Sequence, residues 1–93
     1  MTALILYVIR DKATKKYYRV PKNCMDGSKL ELVSGINKAQ TYVQNDDGGF
    51  RTAQYVVCKH GITGCEIVAC YNLENMNKGR LFNREIKGAV WSN

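Results

Sequence analysis

The stretch "GGFRTAQYVVCKHG", from Gly48 to Gly61, constrains the fold of this chain more than any other. Phe50, Ala53, Val57 and His60 stand at i, i+3, i+7 and i+10, the spacing of one helical face. Lys59 and His60 suit the carbonyl end of a helix, and Gly61 suits a left-handed stop. Asp46 or Asp47 is expected to cap the start. A hairpin competes, because Asp47-Gly48 and His60-Gly61 could each be a turn. The two glycines near the start also weaken a helix by about 1 kcal/mol each. The helical face is the better match, and the segments around it are β-prone. The expected class is therefore α+β: a small antiparallel sheet, a β-hairpin plus further strands, packed against one helix.

The strands are read from composition and turns. Residues 3–10 are rich in Leu, Ile, Tyr and Val, and their near-continuous apolarity predicts burial on both faces. Residues 11–16 have turn chemistry, and residues 17–20 return as a second strand stopped by Pro21. Asp26-Gly27 marks another turn, and residues 30–33 alternate as a short strand ended by Ser34-Gly35. Residues 36–43 fit either a turn into a strand at 40–43 or a short helix, with the strand favoured by adjacent Thr41, Tyr42 and Val43. Residues 65–73 read as a strand packed under the helix. In the final segment, Leu81, Phe82 and Ile86 fit one and a half helical turns ended by Gly88, and an extended arm fits as well. The 93 residues make one domain, with a β-β-(β)-α-β core over 1–73 and a C-terminal extension over 74–93.

Composition limits the function classes. Hydrophobic residues at 45% and charged residues at 24% belong to a globular chain rather than a disordered one. The longest apolar run, at 3–9, has seven residues, where a spanning helix needs about 20. Positive charge follows that run instead of preceding it, so no secretory signal and no membrane association are expected. A cytoplasmic location follows, and with it reduced thiols at Cys24, Cys58, Cys65 and Cys70.

Three of those cysteines and the single histidine share "CKHGITGCEIVAC", spaced C-x-H-x4-C-x4-C. A zinc site needs about four converging ligands and usually supplies them from tight C-x2-C turns, which are missing here. On a helix Cys58 and His60 point apart, and on a strand Cys65 and Cys70 leave on opposite faces. No metal and no cofactor are expected. His60 falls at a helix end, a place histidines take for structural reasons, so a Cys/His catalytic pair is not expected either. The glycines at 48–49 lack the lysine and spacing of a phosphate cradle, and no serine sits in an elbow motif. The chain reads as a binding protein and not as an enzyme, with no catalytic residues.

The net charge of +6 is concentrated in two places. Arg10, Lys12, Lys15, Lys16, Arg19 and Lys22 surround the hairpin with only Asp11 among them. Lys78, Arg80, Arg84 and Lys87 form a second basic patch in the last segment. Tyr17 and Tyr18 interleave with the first group. One of these two adjacent strand residues should pack inward and leave the other for a partner. Such a surface can hold phosphates and stack bases, or serve as a protein-binding hot spot. The expected partner surface is Arg10, Lys12, Lys15, Lys16, Tyr17, Tyr18, Arg19 and Lys22. Trp91 is a natural contact if the chain pairs with a second copy.

The order "LYVIRDKATKKYYRV … GINKAQTYVQNDDGGFRTAQYVV … CEIVACYNL", over residues 6–73, resembles a diffuse pattern in small bacteriophage accessory proteins. In these a basic hairpin precedes an "I-N-K-A-x-x-Y" segment, a glycine leads into a helix, and an "E-I-V" strand closes the unit. The resemblance implies a β-β-(β)-α-β domain acting in the host cytoplasm. It also implies binding and blocking of a host complex, such as a nuclease, a transcription factor or a CRISPR defence system. The partner would be a host protein or a protein–nucleic acid complex. Inhibitors that imitate DNA are acidic, so the basic charge points to an acidic protein surface or to competition for bound nucleic acid. A nucleic-acid-binding module using the same hairpin is the alternative.

Overall fold

A computed structural model describes residues 4–23, 29–43, 48–75 and 80–93. Among them the elements run β1 (Leu4–Asp11), β2 (Tyr17–Arg19), β3 (Glu31–Val33), a 3-10 turn (Ile36–Lys38), β4 (Tyr42–Val43), α1 (Gly49–His60), β5 (Cys65–Asn75) and β6 (Arg80–Ser92). All the strand pairs are antiparallel, in the order β3-β2-β1-β5-β6, with β4 also paired to β1. The class is α+β, as the sequence predicts.

β1 is central because both of its faces are apolar. Leu6 and Val8 face one side with Val68 and Cys70 of β5, under Ile36 and Ala39. Ile9 faces the other side with Cys65 and Ile67, under Ala53 and Val57 of α1. Tyr7 holds the start of the helix through a tilted ring contact with Phe50, with centroids 5.9 Å apart. β1's outer edge is shared by two short strands. β2 pairs with its C-terminal half at Arg10↔Tyr17, and β4 with its N-terminal half at Leu6↔Val43 and Tyr7↔Tyr42.

α1 follows the predicted stripe, with Ala53 and Val57 buried and Phe50 packed against the same cluster. Its end is a Schellman turn: Gly61 at φ 63 donates to the Cys58 carbonyl, and Ile62 donates to the Val57 carbonyl at 3.0 Å. Its start departs from expectation. The N-cap is Gly48, whose carbonyl accepts from Arg51 and Thr52, while Asp46 and Asp47 lie outside the described residues. Gly49, next along, lies close against the Tyr42 and Val43 carbonyls of β4. The Asp26-Gly27 turn also lies outside the described residues.

The final segment is a sheet strand. β6 pairs with β5 from Asn75↔Arg80 to Glu66↔Ser92. Its register slips twice: from Glu85 to Ala89 it advances four residues while β5 advances two, and once more before Trp91. Trp91, partly buried, packs against the helix-side cluster. Asn93 completes the closure, accepting from the Cys65 amide at 3.2 Å and donating to the Ile62 carbonyl at 3.0 Å. No helix among the described residues is long and apolar enough to cross a membrane.

Candidate partner-binding surface

The β1–β2 connection is built by Asp11. Its amide donates to the Lys16 carbonyl and its carbonyl accepts from Lys15, both at 2.8 Å. Its carboxylate Oδ2 accepts from the Thr14 amide at 3.0 Å and the Thr14 hydroxyl at 2.6 Å. The Thr14 bonds hold the Asp11 carboxyl below its ordinary range, so it is charged at neutral pH. Lys15 closes the loop at φ 62. The Lys12 amide donates to the Gly64 carbonyl at 3.0 Å, which ties the hairpin tip to the loop following α1. Lys12, Lys15 and Lys16 are exposed on this fixed loop.

The other expected site residues have different surroundings. Arg10 is turned into the sheet, with its side chain 14% exposed. Its Nε and Nη2 donate to Glu66 Oε2 at 3.1 and 2.9 Å, and Nη1 donates to Glu85. Burial alone would lower its pKa. Hydrogen bonds to Tyr17, Glu66 and Glu85 outweigh that and raise it. Arg10 is therefore held in the sheet by two carboxylates, unlike the exposed lysines of the tip. Arg19 is bound to Glu31 through Nε at 3.0 Å and through Nη2.

Tyr17 and Tyr18 are both engaged. Tyr17 packs on the Leu6–Val68 side and Tyr18 on the helix side. The expectation that one remains free assumed a sheet covered on one face only. Here both faces are covered, so neighbouring residues each find a core. Lys22 lies beyond Pro21, exposed beside a cleft described below. In the second patch, Arg80, Arg84 and Lys87 fall on β6, and Lys78 lies outside the described residues.

Two further residues, not among the expected site residues, stand exposed on one side of α1: Tyr55, 65% exposed, and Lys59. Their i, i+4 spacing was the available signal. The core-facing stripe of Phe50, Ala53 and Val57 is the stronger pattern along α1 and hides it.

The described cysteines sort by face, and Cys24 lies outside the described residues. Cys65 is buried on the helix side and Cys70 on the opposite side, while Cys58 is exposed on α1. Burial pushes the Cys65 thiol up and the Cys70 thiol up to about 11. Among the described residues no three His, Cys, Asp or Glu side chains converge as a metal site would require. Brief iodoacetamide treatment of the native protein at mildly alkaline pH should alkylate Cys58 and leave Cys65 and Cys70 unmodified, as read by peptide mass mapping. Rapid modification of Cys70 would contradict its burial.

What the fold and this surface define is a small α+β domain with a hydrogen-bonded, lysine-tipped hairpin. Comparison with protein families, with characterised proteins and with solved structures finds no match to the chain.

Proposed function

We propose that this chain is a phage-type binding protein that inhibits or redirects a host protein complex by stoichiometric association in the host cytoplasm. The observation that carries the reading is the fixed tip, where Lys12, Lys15 and Lys16 project from a loop closed by Asp11 and tied to Gly64. A loop already ordered loses less conformational entropy on docking. Its like charges steer it toward an acidic surface. The order of segments resembling phage accessory proteins supports the biological setting. Nucleic acid is the weaker ligand, because Tyr17 and Tyr18 lie on opposite faces and so do not make a joint stacking platform.

The test is affinity capture from bacterial lysate, with and without nuclease, using the wild-type chain and the Lys12→Glu/Lys16→Glu variant, which leaves Lys15 beside Glu66. One host complex should survive nuclease, and the variant should recover about tenfold less of it or worse, as loss of steering and rim contacts predicts. Undiminished recovery by a folded variant would remove the hairpin from the interface. Proteins that vanish with nuclease would transfer the assignment to nucleic acid.

A further inference from the structure

A groove runs between the C-terminal half of α1 and the chain that leaves β2. Its deeper part, about 170 Å³, is lined by apolar Val20, Leu30 and Val56 and by Tyr42, with Lys59 and His60 at its helix side. Burial raises the Tyr42 phenol above its ordinary range, so the ring stays neutral at physiological pH. Val20 and Gln40 continue the groove into a wider shelf of about 420 Å³ that carries Pro21 and Lys22. Among the described lining residues, Lys22, Lys59 and His60 are basic and none is acidic.

The deeper part, about 170 Å³, has the room of a single large side chain, and the shelf beside it leaves space for the residues that flank one. The cations on either side then set the chemistry of the flanking residues. We infer that this groove holds an acidic peptide segment of a partner protein, with one aromatic or large aliphatic side chain in the hollow and carboxylates against Lys59 and Lys22. The inference rests on the protein-partner reading above and names what that partner presents. Tyr55 lines the same hollow and is largely exposed, a residue type common at protein interfaces. The Lys12–Gly64 bond brings the hairpin tip to the loop that follows Lys59 and His60, so one acidic partner can reach both.

The experiment is amide chemical-shift mapping on the full chain at neutral pH, with blocked peptides as probes. These are Asp-Asp-Phe-Asp-Asp, the same peptide with Ser for Phe, Lys-Lys-Phe-Lys-Lys, and a five-residue thymidine oligonucleotide. The acidic Phe peptide should move the amides of Gln40, Tyr42, Val56 and Lys59. Both the Ser peptide and the Lys59→Glu variant should weaken that binding by about tenfold, as loss of an anchor or a charge partner predicts. Equal binding of the Phe and Ser peptides, or binding of the basic peptide, would overturn the inference. Shifts confined to residues 12–16 would also overturn it while leaving the hairpin reading intact. Larger groove shifts with the oligonucleotide would overturn both in favour of nucleic acid. No shift with any probe would overturn the groove alone.

Discussion

Gly49→Ala should destabilise the protein by about 3 kcal/mol, against the ordinary sign of that substitution. Alanine is normally favoured over glycine within a helix by about 1 kcal/mol. Here a Cβ on Gly49 would lie 2.5 Å from the carbonyl oxygens of both Tyr42 and Val43 and 2.6 Å from the Val43 carbonyl carbon. These are backbone atoms of β4, which is held to β1 by the Leu6↔Val43 and Tyr7↔Tyr42 pairs, so no side chain can turn away to make room. Either the first turn of α1 lifts or β4 leaves β1. Overpacking of this kind costs about 1–3 kcal/mol, and more when backbone must move. A domain with about 5–15 kcal/mol in total loses a large fraction of its stability. Urea denaturation followed by circular dichroism measures it. A variant as stable as wild type would mean that α1 and β4 are not in this close contact. The consequence reaches the groove, because Tyr42 and Val56 line it from the two elements that must separate.

That contact shows where the sequence could and could not be read. α1 was legible because its buried residues repeat at helical spacing and Gly61 ends them. β1 and its hairpin were legible from continuous apolarity followed by Asp11 turn chemistry. The helix start was not, since its boundary comes from backbone packing between Gly49 and residues 42–43, which leaves no pattern along the chain. β6 was ambiguous for a related reason. Its two register slips break the alternation that marks a strand, so Ile86, Val90 and Trp91 fall out of a simple period. The basic hairpin was legible as composition, but its division was not. Which cations are free depends on Glu66 and Glu85, which reach Arg10 only through the β1–β5–β6 register.

Arg10→Leu should accordingly cost about 3 kcal/mol, whereas the Arg10→Leu/Glu66→Leu double variant should recover most of the loss. Glu66 is only 7% exposed and accepts two hydrogen bonds from Arg10. Its other described cation, Lys15, stands 3.8 Å away on an exposed stem. Removing Arg10 leaves a buried carboxylate with that distant partner, and breaking such a pair from one side costs about 3–5 kcal/mol. The lower end applies because Lys15 remains. Replacing both charges with leucine removes the stranded group, and apolar replacements of buried pairs are often neutral. Thermal or urea unfolding of the single and double variants, arranged as a cycle, should give a coupling of about 2 kcal/mol or more. Purely additive losses would mean that the pair does not act as a unit. The result also separates structure from recognition. An Arg10 variant that loses its partner should do so in proportion to lost stability, while charge reversal at Lys12 and Lys16, which leaves Lys15 beside Glu66, should weaken binding about tenfold with the fold intact. If Arg10→Leu/Glu66→Leu regains stability and still fails to bind, the Arg10–Glu66 pair itself belongs to the interface.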